Sequence, residues 1–191
     1  MILQEDIIKA LHKNDSIVLK ELFEMNYGKL SALALRYAKS DVQSELMFNE
    51  CFKISIDKLK EQKKLNSDEI GSFLQKEFIK ACIAFVKNIR SEYYVSSTVF
   101  AREGEMKDYN LFENNEWIDY NHVDISILIK SLQQLVPSQR LVFNLHIADN
   151  YSIAEAADLL ESGEETVKSN LEKARYNLQK NIEKNLKELK K

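Results

Sequence analysis

Apolar residues recur at spacings of three and four along nearly the whole chain, while the alternation typical of half-buried strands is almost absent. Residues that interrupt helices are scarce, because the 191 residues include one proline and four glycines. Leu, Lys, Glu, Ile and Ala, which are common in helices, are plentiful. The pattern therefore predicts an all-α protein.

Breaks in this periodicity divide the chain into two sets of helices separated by an acidic stretch. The predicted helices cover about residues 7–11, 17–38, 42–60, 68–90, 126–134, 138–148, 153–160 and 164–190. Between 101 and 124, seven acidic residues stand against only Arg102 and Lys107, and no apolar stripe is sustained. The sequence predicts one helical domain over 1–98, an acidic linker over 99–124 and a second helical domain over 125–191.

Apolar stripes on the second and third helices predict which side chains form the first core. The stripe on the second helix comprises Leu19, Leu22, Phe23, Leu30, Leu33 and Tyr37. The stripe on the third helix comprises Leu46, Phe48, Phe52, Ile56 and Leu59. Cys51 and Cys82 lie inside apolar patterns without metal-ligand spacing, which favours buried reduced thiols over a disulfide.

Charge and motif content exclude several function classes. The formal net charge is −3, so a nucleic-acid contact requires a local basic patch. His12, His122 and His146 are scattered, and no Gly-rich phosphate loop or nucleophile motif occurs, so we expect neither an enzyme nor a bound metal or cofactor. The N-terminus does not resemble a signal peptide, and no apolar run reaches membrane-spanning length. A cytoplasmic protein without a membrane contact is expected.

Residues 151–180 read YSIAEAADLLESGEETVKSNLEKARYNLQK, which is two helices around a tight break. Ser152 and Glu155 have capping-box spacing, and the alanines that follow keep the first helix slim. Gly163 is predicted to supply the turn into the second helix. This arrangement is typical of a helix-turn-helix, whose second helix enters the DNA major groove. A small helical bundle with a solvated Lys/Glu face is the alternative.

The wider stretch LVPSQRLVFNLHIADNYSIAEAADLLESGEETVKSNLEKARYNLQ resembles the C-terminal promoter-binding domain of bacterial sigma factors of the extracytoplasmic-function type. The matching residues are Leu135, Pro137, Gln139, Arg140, Phe143, Leu145, Tyr151, Ser152, Ala156, Ala157, Thr166, Val167, Lys168, Ser169, Leu171, Ala174, Arg175 and Leu178. The stretches LFEMNYGKLSALALRYAKSD, SELMFNECFKISIDKL and FLQKEFIKACIAFVKNIR resemble the family's N-terminal domain more loosely.

This resemblance implies a sigma factor that binds core RNA polymerase and directs promoter recognition and transcription initiation. Promoter DNA is then the second partner, and an anti-sigma factor is a third partner to consider. Contacts to the upstream duplex element are predicted for Thr166, Lys168, Ser169, Asn170, Lys173 and Arg175. Contacts to the downstream single strand are predicted for Lys80, Lys87 and Arg90. Polymerase contacts are predicted for Glu45, Asn49, Glu50 and Lys53.

The chain departs from the family pattern at several positions, among them Asn170 and Glu172, where the family often carries Arg and His. The family's polymerase-binding helix usually carries Asp and Gln where this chain has Leu46 and Asn49, and its strand-capturing helix usually carries Asn and Asp at the places of Lys80 and Ala84. The departure at Leu46 motivates one alternative, a sigma-like DNA-binding regulator or adaptor without productive polymerase engagement. A structural helical protein that binds no DNA is another.

Overall fold

The computed structural model describes residues 4–62, 65–88 and 123–189. Eight α-helices and no strand occur within these ranges, which confirms the all-α prediction. The chain divides into two compact units, Met1–Phe85 and Val86–Lys191, with the division inside the fourth helix. Most of the predicted linker lies outside the described residues, so the predicted domain limits at 98 and 125 stay a prediction.

The N-terminal unit contains the first four helices, which are α1 Gln4–His12, α2 Ser16–Tyr37, α3 Asp41–Lys60 and α4 Ser67–Asn88. Polar side chains cap two of them. Asp15 Oδ1 accepts hydrogen bonds from the backbone N–H groups of Ile17 and Val18 at 2.9 and 3.3 Å. Ser40 Oγ accepts from Gln43 N at 3.2 Å, and Gln43 Oε1 accepts from Lys39 N at 2.8 Å. Each cap satisfies orphan donors at the start of a helix, as the predicted break at 14–16 and the break at 40–41 require.

The core of this unit joins α1, α2, α3 and α4 through aliphatic and aromatic side chains. Its buried residues include Leu11, Val18, Leu22, Ile56, Leu59, Ile70 and Leu74. Phe78 of α4 is fully buried, and its ring centroid lies 5.9 Å from that of Phe48 on α3. Cys51 and Cys82 are buried thiols and form no disulfide with each other in the described structure, as predicted.

Three residues of the predicted stripes lie outside this core. Leu19 is 40% exposed, Phe23 36% and Leu46 56%, so their assignment to the core was wrong. On α3 the inward positions belong instead to Met47 and Cys51.

Small polar residues of α3 also belong to its inward face. Ser44 and Ser55 are both buried, because Ser44 Oγ donates to Asp41 O at 2.6 Å and Ser55 Oγ donates to Cys51 O at 2.7 Å. Hydroxyls that bond to their own helix can face a core without an unsatisfied group. A prediction from apolar spacing alone omits such residues, although it placed Phe48, Ile56 and Leu59 correctly in the core.

The C-terminal unit contains α5 Ile125–Gln133, α6 Pro137–Phe143, α7 Ile153–Leu160 and α8 Glu164–Glu188. A π-helical turn, Asn144–Ala148, extends α6. Asp124 caps α5 by accepting from Ser126 N at 2.8 Å, and hydrogen bonds from Ser126 lower the pKa of Asp124. The core is aliphatic and consists of Ile127, Leu132, Leu135, Ala174, Leu178 and Ile182. The four helices predicted for this unit agree with the structure to within two residues at each end, when α6 is taken together with its π-helical turn.

A row of asparagines on α8 flanks this core, and we call Asn170, Asn177, Asn181 and Asn185 the asparagine seam. Asn177 Nδ2 donates to Gln139 Oε1 at 2.9 Å, and Asn181 Nδ2 donates to Ser131 O at 3.0 Å. Asn185 Nδ2 donates to Ser131 Oγ at 2.8 Å. Hydrogen bonds between side chains have narrow geometric requirements, so the seam fixes the position of α8 against α5 and α6.

The turn between α5 and α6 contains a buried arginine. Arg140 is 2% exposed, and its Nη1 donates to the carbonyl oxygens of Gln133 and Leu135 at 3.0 and 2.6 Å. These carbonyls lie at the C-terminal end of α5, where the helix dipole favours a positive charge. The Gln139–Arg140 pair of the sequence motif therefore has a structural role, because one residue bonds to α8 and the other closes α5.

Candidate nucleic-acid and protein interfaces

The turn between α7 and α8 has helix-turn-helix geometry with an unexpected left-handed residue. Ser152 and Glu155 form the predicted capping box. Glu161 adopts φ 53°, and Ser162 N donates to Ala157 O at 3.0 Å, which closes the C-terminus of α7. Gly163 lies in this turn and is the N-cap of α8, as predicted, but its φ of −75° is in the extended region and the left-handed residue is Glu161.

Two opposite faces of α8 have different chemistry. The inward face consists of Val167, Leu171, Ala174 and Leu178, which are all buried. At the same spacings of four and three residues, Glu165, Ser169 and Glu172 follow one another on the opposite side and are all exposed. We call these three residues the outer stripe. Side chains there are accessible to a partner because the core holds the other face.

The six residues predicted to contact duplex DNA differ in their surroundings. Thr166, Lys168, Ser169 and Arg175 are exposed, while Asn170 and Lys173 are half-buried. Asn170 belongs to the asparagine seam, because its Oδ1 accepts from Ser138 Oγ of α6 at 3.4 Å and its Nδ2 donates to Thr166 O at 3.0 Å. The amide group of Asn170 is thus hydrogen-bonded within the unit.

The basic residues of α8 also differ in their ion pairing. Lys168 Nζ lies 2.8 Å from Glu165 Oε1, and this hydrogen bond, with the charges of Glu165 and Glu164, raises the pKa of Lys168. Both side chains are at least half exposed, so solvent screens the pair. Arg175 makes no ion pair with any residue that the structure describes. Arg175 therefore offers an uncompensated positive charge, while Glu165 partly offsets that of Lys168.

A groove of about 580 Å³ runs between α2 and α3 in the N-terminal unit. It is lined by Phe23, Tyr27, Ser31, Ala32, Leu35, Ser44, Glu45, Phe48 and Asn49. The ring centroid of Phe23 lies 5.2 Å from that of Tyr27, 5.8 Å from Phe48 and 5.6 Å from Phe52. The groove thus combines an aromatic floor with polar side chains at its edge, as protein-binding surfaces commonly do.

The four residues predicted to contact polymerase are all exposed on α3. Glu45 and Asn49 line the groove, whereas Glu50 and Lys53 lie outside its lining. The prediction omitted Tyr27 and assigned Phe23 to the core. The spacing of four residues between these two aromatic side chains on α2 is the sequence signal that could have placed them together.

The residues predicted to contact a single strand lie toward the end of α4. Lys80 is exposed, and its Nζ lies 2.7 Å from Glu77 Oε1. Lys87 is half-buried, and Ala84 is exposed between the two lysines on the same side of the helix. Arg90 lies outside the described residues. Glu77 partly offsets the positive charge that Lys80 could offer to a phosphate.

Metal-binding clusters and membrane-spanning helices are absent from the described part of the chain. Within residues 4–62, 65–88 and 123–189, no three His, Cys, Asp or Glu side chains lie close enough to hold a metal ion together. His146 Nδ1 lies 2.7 Å from Tyr151 O, so this histidine holds the turn after the π-helical segment. Among the described helices, none is both long and apolar enough to cross a membrane.

Comparison with known proteins identifies the C-terminal unit. Residues 125–178 match the family Sigma-70, region 4, over all of α5 to α7 and most of α8. The C-terminal unit is therefore similar to sigma-70 region 4 domains. The predicted resemblance to a sigma factor with a C-terminal helix-turn-helix is confirmed by this match.

The whole chain also resembles a solved structure. That structure is the sigma factor RpoE in complex with the anti-sigma factor NepR from Bartonella quintana, at 20% identity and a TM-score of 0.48. The similarity covers 86% of this chain and 96% of that chain. No match was found among curated proteins.

Proposed function

We propose that this protein is a sigma factor of the extracytoplasmic-function type, which binds core RNA polymerase and directs promoter recognition and transcription initiation. It acts in the cytoplasm by binding alone and catalyses no bond-forming step. The observation that supports this most strongly is the region 4 domain, whose α8 presents polar and charged side chains opposite a closed core.

In this proposal α8 enters the major groove of the upstream promoter element with its N-terminal half. Lys168, Lys173 and Arg175 contact phosphates, while Thr166 and Ser169 reach base edges. Asn170 contributes by holding α8 on α6 through Ser138, and reading of a base by its amide would require release of that contact. The asparagine seam supports such reading because it keeps α8 in one orientation.

The N-terminal unit takes the other two tasks of the proposed sigma factor. The exposed face of α3, with Glu45, Asn49, Glu50 and Lys53, binds core polymerase, and the adjoining groove accepts an apolar side chain from it. Lys80, Lys87 and Arg90 track the single strand of the opened promoter. An anti-sigma factor that covers the same α3 face would compete with polymerase.

Copurification followed by transcription tests this proposal. The full chain, mixed with core RNA polymerase, should elute as a complex and yield run-off transcripts from DNA upstream of its own operon. Glu45→Lys, at the edge of the groove, should reduce the complex. Glu21→Lys is the matched control, because Glu21 is exposed on α2 and does not line the groove.

Three results of this experiment separate the proposal from its alternatives. A complex that yields no transcripts from any promoter would contradict the proposal that the chain directs promoter recognition. DNA binding without a polymerase complex would favour a sigma-like regulator. If neither DNA nor polymerase bound, the protein would be a structural helical protein and the proposal would be wrong.

A further inference from the structure

Glu172 is an exposed carboxylate in the middle of the helix that the proposed function places in the major groove. It lies on the outer stripe of α8, one turn after Ser169 and opposite the buried residues Leu171 and Ala174. Among the described residues, Glu172 makes neither an ion pair nor a side-chain hydrogen bond. Both of its oxygens are therefore available to accept hydrogen bonds from a partner.

The other acidic residues of the same region are in different situations. Glu164 lies at the first position of α8, and Glu165 Oε1 is engaged by Lys168 Nζ at 2.8 Å. Glu172 is too far along α8 to interact with the positive end of the helix dipole, which acts within the first turn. The dipole of α8 therefore does not account for this charge, and no described residue engages the carboxylate directly.

The surroundings of Glu172 on α8 allow it to approach DNA despite its charge. Lys168 precedes it by four residues and Arg175 follows it by three, so one cation lies a helical turn away on either side. These two cations can contact phosphates while the carboxylate between them points at base edges. A contact of Glu172 with a phosphate, in contrast, would be repulsive.

We propose that Glu172 is a specificity-determining residue of the upstream element, where it accepts a hydrogen bond from an exocyclic amino group in the major groove. This inference rests on the proposed function. An ionised carboxylate can only accept hydrogen bonds, and the donors that base edges present in the major groove are cytosine N4 and adenine N6. Cytosine is preferred, because glutamate and aspartate typically accept from its amino group.

The same carboxylate rejects the other bases at that position. Guanine O6 and N7 and thymine O4 are acceptors, and a carboxylate next to them would lose its water without gaining a hydrogen bond. Discrimination of the order of tenfold to a hundredfold follows from typical contacts of this kind. Glu172 thus selects by excluding wrong bases as well as by binding the right one.

Selection of DNA from a library with a randomised upstream element tests the inference. Holoenzyme assembled from core RNA polymerase and the full chain should enrich one position with cytosine, or secondarily adenine, by about tenfold or more. Glu172→Ala should abolish that preference. Glu172→Gln should shift it toward adenine, because glutamine donates to N7 and accepts from N6 of adenine at once.

Glu188→Gln is the control for charge alone. Glu188 ends α8 and is exposed beside Lys130, so its replacement changes the net charge equally at a distance from the outer stripe. It should leave every base preference unchanged.

The outcomes distinguish the inference from the function on which it rests. If the wild-type chain enriched an element and both Glu172→Ala and Glu172→Gln showed the same base preferences, the role of Glu172 would be overturned and the sigma-factor proposal would stay intact. Failure of the wild-type chain to form a holoenzyme, or to enrich any element, would instead count against the proposed function.

Discussion

The two units pack their helices by different chemistry. In the N-terminal unit the rings of Phe23, Phe48, Phe52 and Phe78 contact one another in a row from the surface to the core. In the C-terminal unit an aliphatic core is flanked by the asparagine seam. Aromatic contacts tolerate small displacements, whereas hydrogen bonds between amides require defined distances and angles.

This difference matches the two kinds of recognition that we propose. A protein partner can be accommodated by side chains around a half-open aromatic groove. Reading of base edges requires a helix held at one angle and depth, since a shift of a hydrogen-bonding group by about an ångström loses the bond. We therefore propose adaptable docking for the first unit and geometric reading for the second.

The largest expected effect comes from removal of the buried end of the aromatic row. Phe78→Ala should lower the free energy of unfolding by about 3–5 kcal/mol, because Phe78 is fully buried and a cavity remains. Phe23→Ala is the matched variant at the exposed end and should cost less than half as much. Urea denaturation of the full chain measures both losses. Equal losses would show that the stabilisation by these rings does not increase from the surface to the core.

The contribution of the asparagine seam to stability should be clearest at the hydrogen bond between Asn177 and Gln139. Gln139 is 4% exposed, so Asn177→Leu leaves a buried amide without its partner and should cost about 1–3 kcal/mol. The double variant Asn177→Leu/Gln139→Leu should recover part of this loss, because no partner is then left behind. A double-mutant cycle in urea gives the coupling free energy between Asn177 and Gln139. If the losses of the two single variants simply added up in the double variant, the two side chains would not act as a hydrogen-bonded pair.

Salt titrations of DNA binding should distinguish Lys168 from Arg175, two exposed cations in the N-terminal half of α8. Arg175→Ala should reduce the slope of log affinity against log salt by about 0.9, since one phosphate contact is lost. Lys168→Ala should reduce it by less, because Glu165 already offsets Lys168 at 2.8 Å. Equal changes in slope would mean that the pair with Glu165 opens completely on DNA.

The smallest expected effect concerns the helix-turn-helix turn. Glu161→Gly should raise the free energy of unfolding by up to about 1 kcal/mol, because glycine adopts the observed φ of 53° without strain. The substitution also removes the ion pair of Glu161 with Lys87 at 3.3 Å, but Glu161 is 84% exposed and solvent screens this pair. Gly163→Ala serves as the control, since an added Cβ would meet only Thr166 Oγ1 at 4.0 Å. Thermal unfolding measures both variants. A higher melting temperature for Gly163→Ala than for Glu161→Gly would contradict the assignment of the left-handed residue.

Sequence alone was sufficient for the helices and for the region 4 domain, because caps, breaks and a dense motif are local signals. Asp15, Ser40 and Ser152 each cap the helix that follows them. The choice between Leu46 and Met47 as the inward residue was not predictable from apolar spacing, since the two are adjacent and both apolar. The pairing of Lys168 with Glu165 and the engagement of Asn170 by Ser138 depend on side-chain geometry, which no motif encodes.

Site-specific photo-crosslinking in the holoenzyme tests the division of roles most directly. A photoreactive residue replaces either Leu46, which is 56% exposed on α3, or Ser169 on the outer stripe, with Glu21 as the control position. We expect Leu46 to crosslink to a polymerase subunit and Ser169 to crosslink to promoter DNA, while Glu21 crosslinks to neither. Crosslinks from Ser169 to polymerase alone, together with crosslinks from Leu46 to DNA, would contradict the assignment of docking and reading to the two units.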